Sequence, residues 1–129
     1  MPQSYYCSKV LDHFWNPRNP GEVENPDGIG KAEGGRISMQ ITLRVEQNRI
    51  ADVKFRCTTC IVAVACCSLT TELVKGMSLE EALTLTPDQL ANQLVEIPEE
   101  RMDRCALAIQ ALDNAIRDYQ TRQSQGGDL

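Results

Sequence analysis

The chain contains a single histidine, His13, among its 129 residues. It also lacks a nucleophile–histidine pair and a phosphate-binding fingerprint, and Gly28 and Gly30 alone are too weak to count as a nucleotide motif. We therefore expect that the protein is not an enzyme. We interpret His13 as a structural residue rather than a metal ligand.

Basic residues are few: 13 Lys and Arg stand against 18 Asp and Glu, which gives a formal net charge of −5. No Lys/Arg cluster interrupts this balance, so the basic surface that nucleic-acid binding requires is missing. No apolar run approaches the roughly 18 residues of a membrane-spanning helix, and the N-terminus has no signal-peptide pattern. These absences predict a soluble cytoplasmic protein without nucleic-acid or membrane partners.

The length suits one compact domain, because single domains commonly run about 100–150 residues. We expect a single domain over residues 1–122, followed by a flexible, polar and glycine-rich tail over residues 123–129. The six cysteines are expected to be reduced thiols, since a domain of this size needs no disulfides.

Hydrophobic periodicity predicts a first helix capped by Ser4, followed by a turn-rich connection over residues 16–35. Apolar residues then alternate with polar ones over residues 37–45, and again over residues 51–57. Alternation of this kind is typical of half-buried strands. The two segments, separated by a turn at residues 46–48, predict an antiparallel hairpin.

Helices are predicted for the rest of the chain. Residues 60–75 are apolar nearly all round at first, which indicates a buried helix, and Gly76 is a natural stop. Two capping boxes, opening at Ser78 and Thr86, predict two short helices. After Pro98, apolar positions three and four apart predict a long last helix. The fold class is therefore α+β, with a small antiparallel sheet packed against several helices.

Thiols lie where this hairpin meets the buried helix. Cys57 and Cys60 flank the junction, and a helix start favours the thiolate form of cysteine. Cys105 lies on the last helix, so elements far apart in sequence could close a metal or sulfur site. Cys57 and Cys105 also lie on apolar faces, which keeps a core role open for both. Cys66 and Cys67 are interpreted as core residues.

The chain resembles the IscU/NifU N-terminal family of iron–sulfur cluster scaffolds from about Tyr5 to Tyr119. The segments that carry the resemblance are residues 9–19, 49–55, 71–76 and 78–82, and Ile97-Pro98 with Arg101 ahead of Cys105. The resemblance implies a scaffold or carrier that binds iron or a [2Fe–2S] cluster and accepts sulfur from a cysteine desulfurase. It also implies contacts with a chaperone and with apo-acceptor proteins.

The ligand motifs of that family match in part. Residues 34–36 read Gly-Gly-Arg where family members typically have Cys-Gly-Asp. Cys60 matches the second family cysteine and Cys105 the third, with Arg104 where a histidine ligand can lie. Cys57 would restore a third thiolate, and three thiolates suit zinc or a [2Fe–2S] site that needs a fourth ligand. Cys57, Cys60 and Cys105 are therefore the candidate ligands.

Three functions stay open. The first is a divergent scaffold or carrier of iron–sulfur clusters. The second is a stable zinc protein, or a cluster bridging a homodimer in which each chain supplies two thiolates. The third is a metal-free paralogue that acts as an interaction module or exchanges thiols through Cys57 and Cys60.

Overall fold

The computed structural model describes residues 7–95, 97 and 99–127. In chain order the elements are α1 (Ser8–Trp15), β1 (Gly28–Gly34), β2 (Ile37–Glu46), β3 (Arg49–Cys57), α2 (Ile61–Val74), α3 (Leu79–Leu83), α4 (Pro87–Leu94), a short 3-10 helix (Glu99–Arg101) and α5 (Asp103–Gly127). The α+β class predicted from the sequence is confirmed.

The sheet is antiparallel, with the strand order β1-β2-β3. Strands β2 and β3 form the predicted hairpin, and Gln47 and Asn48 close it with φ angles of 53° and 62°. Positive φ at both central residues is what the tight turn of a two-residue hairpin requires. Met39 pairs with Cys57 at the opposite end of the hairpin, so the Cys57 thiol lies at the end farthest from the turn.

Strand β1 lies inside the stretch that we predicted to be a turn-rich connection, residues 16–35, and this prediction was wrong for residues 28–34. The strand could not be recognised from the sequence because of its glycines. They are needed because β1 packs directly against the backbone of α5. A Cβ atom on Gly30 would lie 2.1 Å from the Ala111 backbone oxygen and 2.2 Å from the Ala115 nitrogen. Such close approach requires glycine and leaves no apolar alternation for sequence reasoning to find.

Helix α2 is the buried centre of the molecule. It packs against α1, α5 and β3, and most of its residues are buried, as its apolar composition predicted. Its two buried threonine hydroxyls donate within the helix: Thr70 donates to the Cys66 carbonyl and Thr71 to the Ser68 carbonyl. Gly76 follows the helix with a φ of 91°, and its N–H donates to the Ile50 carbonyl.

Both predicted capping boxes are formed. The Ser78 hydroxyl accepts from the Glu81 N–H at 3.1 Å, and the Thr86 hydroxyl accepts from the Gln89 N–H at 3.3 Å. In each box the N3 side chain returns a bond to the backbone N–H of the capping residue. These reciprocal bonds set the starts of α3 and α4.

Helix α1 docks on α2 through a buried polar cluster. His13 Nδ1 lies 2.7 Å from the Ser68 hydroxyl oxygen, which also accepts from the Arg18 N–H at 2.8 Å. The Glu72 carboxylate lies 3.8 Å from His13 Nε2 and 3.6 Å from Arg18 Nε. These contacts give His13 the structural role expected from the sequence.

The two ends of the domain differ from the predictions in detail. Helix α1 begins at Ser8, and the predicted cap Ser4 lies outside the described residues, as does Pro98. Helix α5 continues to Gly127, so residues 123–127 of the predicted flexible tail are helical. A helix that is already nucleated adds residues at little cost, and glutamine favours it. The domain boundary at residue 122 stays a prediction. No described helix is long and apolar enough to span a membrane.

The close approach of β1 and α5 predicts that Gly30→Ala is strongly destabilising. The added methyl group overlaps backbone atoms of α5, and overpacking of this kind costs about 1–3 kcal/mol or more. We expect a lower urea midpoint, measured by circular dichroism, whereas Lys31→Ala at the neighbouring exposed position should change the stability by no more than about 0.5 kcal/mol. Equal midpoints for the two variants would contradict direct packing of β1 on α5.

The buried cluster at His13 predicts a stability that depends on pH. Burial, together with the nearby Arg18 guanidinium, lowers the pKa of His13 below the usual 6.5. His13 therefore binds a proton more readily in the unfolded chain than in the folded chain. As a result, the free energy of unfolding falls as the pH drops below about 6.5. We expect a lower urea midpoint at about pH 5.5 than at about pH 7.5, and His13→Asn should lose most of this difference. An unaltered pH dependence in the variant would assign the effect to other groups.

Candidate functional site

Five cysteines form a thiol cluster where the sheet meets two helices, defined here as Cys57, Cys60, Cys66, Cys67 and Cys105. Cys57 ends β3, Cys60 directly precedes α2, and Cys105 lies in the first turn of α5. Cys66 and Cys67 lie within α2 and are fully buried. All are free thiols, as is Cys7, whose Sγ donates to the Leu94 carbonyl at 2.7 Å.

Cys66 and Cys105 form the first pair in the thiol cluster. Their Sγ atoms lie 3.3 Å apart, and neither residue is exposed to solvent. The hydrogen bond to Cys105, together with burial, raises the pKa of Cys66 well above its usual value. The same hydrogen bond lowers the pKa of Cys105. The two shifts are opposite in direction, so Cys105 is the more acidic member of the pair.

Cys57 and Cys67 form the second pair. Interaction with the Cys67 thiol lowers the pKa of Cys57, whose Sγ donates to the Thr58 carbonyl at 3.1 Å. The same interaction and complete burial raise the pKa of Cys67 well above its usual value. Cys57 is half-buried and, with Arg56, lines two surface cavities of about 330 and 480 Å³. Cys57 is thus the thiol of this pair that small molecules can reach.

Cys60 belongs to neither pair and contacts Arg104 instead. The Arg104 guanidinium donates to Asp103 Oδ1 at 2.6 Å, and its charge also interacts with the Cys60 thiol. Its Nε atom is buried and has no hydrogen-bond partner in the described part of the chain. Arg104 therefore places a fixed positive charge between the start of α2 and the start of α5.

The turn at residues 34–36 lies close to the same end of α5. A Cβ atom on Gly34 would lie 3.1 Å from Leu107 Cδ1, two residues beyond Cys105. The Ser38 carbonyl, just after this turn, accepts from the Thr58 N–H between Cys57 and Cys60. The Gly-Gly-Arg segment, which stands where the resembling family has Cys-Gly-Asp, thus borders the thiol cluster.

The structure does not gather Cys57, Cys60 and Cys105 into one preformed metal site. Among the described residues, no three His, Cys, Asp or Glu side chains lie close enough together to hold a metal ion. Cys105 instead contacts Cys66, and Cys57 interacts with Cys67. We interpreted these two α2 thiols as core residues, and they are fully buried. Their contacts with candidate ligands were not predicted.

The sequence did contain one signal for these contacts, the adjacent pair Cys66-Cys67 in a helix that is apolar nearly all round. Neighbouring residues on an α-helix project about 100° apart, so adjacent thiols in a buried helix face different partners. Which partners they meet depends on how β3 and α5 pack against α2.

Comparison with known proteins places the chain in a family. Residues 5–126 match the family described as NifU-like N terminal domain, and the chain belongs to that family. The resemblance inferred from the motifs is confirmed.

Two relatives show how far this similarity extends. The iron–sulfur cluster assembly scaffold protein IscU 1 of Archaeoglobus fulgidus is 44% identical over 117 residues, covering 88% of this chain and 76% of the relative. The scaffold protein IscU of Haemophilus influenzae is 39% identical over 125 residues, covering 92% of this chain and 98% of the relative.

The fold also matches solved structures. The N-terminal part of a nitrogen-fixing NifU-like protein from Brucella abortus aligns with a TM-score of 0.67 and 17% identity, over 89% of this chain and 94% of that one. At this level of identity the match concerns the fold alone.

Burial predicts a strict order of reactivity among the thiols. Iodoacetamide should modify the half-buried Cys57 and Cys60 at least about tenfold faster than Cys66, Cys67 and Cys105, whose alkylation requires local opening of the fold. Timed quenching, tryptic digestion and fragment mass spectrometry would measure the rates, and urea-denatured protein is the control in which the difference vanishes. Alkylation of Cys66 at the rate of Cys60 would contradict the burial of α2.

Proposed function

We propose that this protein is a scaffold on which iron–sulfur clusters are assembled and from which they are passed on. Its family membership and the IscU scaffold proteins among its relatives support this role. The observation that carries the proposal is the placement of Cys60 and Cys105 at the starts of α2 and α5, with the positive charge of Arg104 between these helix starts. The cluster is then cargo, and iron and sulfide are the substances that the site takes up.

Cys60 and Cys105 are the proposed principal ligands, with Cys57 as the third. Cys60 is half-buried and free of other thiols, whereas Cys105 contacts Cys66 and Cys57 interacts with Cys67. Because no three ligand side chains of the described residues lie close enough together for a metal ion, binding requires these thiols to move from their present contacts. Their return to those contacts favours release, which suits a transferable cluster in a chain without the carboxylate of the family motif.

Arg104 favours an anionic cargo. A cluster held by thiolates carries negative charge, and the Arg104 guanidinium beside Cys60 offers it a fixed positive charge. The same charge opposes a bare divalent cation. A [2Fe–2S] cluster with a fourth ligand from outside this set is therefore the proposed cargo, and a homodimer sharing one cluster would supply that ligand.

The proposed partners follow from this cargo. A cysteine desulfurase would supply the sulfur, apo-proteins would accept the finished cluster, and a chaperone would contact the segment before α5. The cytoplasm is the proposed location, because reduced free thiols persist there. The protein would transfer atoms without catalysing a turnover reaction of its own.

Anaerobic reconstitution with ferrous iron and sulfide tests the proposal. We expect iron and acid-labile sulfide in equal amounts per chain, with the visible spectrum of a cluster. Cys60→Ser and Cys105→Ser should lose most of both, because each removes a thiolate ligand. Cys7→Ser, a half-buried thiol at α1, is the matched control and should load normally. Cys57→Ser reports whether a third thiolate takes part.

The other outcomes separate the remaining functions. Zinc without sulfide would indicate a stable zinc site, and full loading of Cys60→Ser would refute the ligand set. Protein that stays empty after reconstitution would leave thiol exchange as the function. That second candidate is favoured by one observation, the two interacting thiol pairs Cys66–Cys105 and Cys57–Cys67.

A further inference from the structure

Cys66 is a thiol that cluster binding leaves unused, yet it touches a proposed ligand. Its Sγ atom lies 3.3 Å from Cys105 Sγ, about 1.3 Å more than the S–S bond length of a disulfide. Both residues are fully buried. The two sulfur atoms are therefore already in contact across α2 and α5.

We propose that Cys66 and Cys105 form a reversible redox site, in which oxidation joins them in a disulfide and withdraws Cys105 from the cluster site. The disulfide follows from the geometry of the pair alone. Its consequence for cluster binding rests on the proposed function.

The position of Cys66 on α2 selects it over its neighbour Cys67. Successive residues of a helix project about 100° apart, so the two thiols cannot both face α5. Cys66 faces α5 and meets Cys105, whereas Cys67 faces β3 and meets Cys57. Oxidation should therefore link Cys105 to Cys66 and leave Cys67 unlinked to α5.

A small hydroperoxide is the oxidant that the burial of the pair favours, because bulky disulfide reagents cannot enter the core. One sulfur of the pair, as its thiolate, attacks one peroxide oxygen: an S–O bond forms, the O–O bond breaks, and the departing hydroxide takes up a proton to become water. The other sulfur then attacks the oxidised sulfur: the S–S bond forms, the S–O bond breaks, and the departing hydroxide takes up the proton of the second thiol. Two thiols and one hydrogen peroxide thus give one disulfide and two waters, with two electrons passing from sulfur to peroxide.

Cluster loading and disulfide formation exclude each other in this arrangement. A Cys105 thiolate bound to iron is unavailable to Cys66, so oxidation closes only the empty scaffold. The disulfide joins residues 39 positions apart and ties α2 to α5. A dithiol reductant reopens it by thiol–disulfide exchange. The pair would keep an empty scaffold from taking up iron under oxidising conditions.

Peptide mapping of the full chain tests the pair directly. Anaerobically purified protein is treated with equimolar hydrogen peroxide, unfolded, alkylated with iodoacetamide and digested with trypsin. Cleavage after Arg56, Lys75, Arg104 and Arg117 places Cys57, Cys60, Cys66 and Cys67 in peptide 57–75 and Cys105 in peptide 105–117, so the variants below identify which cysteine is linked. We expect these two peptides to be linked, and dithiothreitol to separate them.

Variants of adjacent thiols give a matched comparison. The link should be absent in Cys66→Ala and present in Cys67→Ser, and circular dichroism checks that both variants are folded. A link that survives Cys66→Ala would overturn the proposal. So would unlinked wild-type protein in which peroxide had oxidised only Cys60 or Cys57.

Reconstitution of the oxidised protein tests the consequence. Peroxide should lower the iron and sulfide taken up by the wild type at least about tenfold, dithiothreitol should restore them, and peroxide-treated Cys66→Ala should load as before. A reduced wild type that takes up no cluster would defeat the scaffold function while the linked peptides still support the redox pair. Normal loading without any linked peptide would defeat the redox pair alone.

Discussion

The burial of helix α2 is the constraint on which the rest of the structure depends. Because this helix is apolar nearly all round, it must be covered on every side, and α1, α5 and β3 provide the cover. The cysteines at positions 66 and 67 are consequently enclosed and meet whatever the covering elements present to them. The covering elements α5 and β3 contribute Cys105 and Cys57. The hydrophobic burial of α2 therefore also determines which thiols come into contact.

The thiol cluster is therefore not a preformed metal site, because other side chains compete with a metal ion for its candidate ligands. Each of two candidate ligands contacts a buried thiol of α2, and Cys60 interacts with the Arg104 guanidinium. In the proposed scaffold, such a site would bind cargo by exchanging partners, which would link uptake and release to small side-chain rotations within a rigid core. Family membership and the position of the thiol cluster agree with a scaffold role. The pairing of its thiols also makes the empty state sensitive to oxidation.

Much of the fold could be predicted from local patterns. Alternation located the β2–β3 hairpin, uniform apolarity located α2, and reciprocal polar spacing located the caps at Ser78 and Thr86. Strand β1 could not be predicted, because its glycines report an approach to the α5 backbone that exists only after packing. The helical continuation to Gly127 was missed because its polar composition resembles that of a flexible tail, although glutamine sustains a helix that has already been started.

The candidate site, like the fold, could be predicted from the sequence only in part. Motif matches along the chain were enough to determine the family and to single out Cys57, Cys60 and Cys105, because residue type and local spacing are properties of a linear pattern. Only the packing of distant elements decided that Cys105 meets Cys66, that Cys57 meets Cys67, and that Arg104 reaches Cys60. The physical reason is that a thiol's partner depends on the direction of its side chain within the assembled core. That direction is set by helix rotation and by the covering elements together.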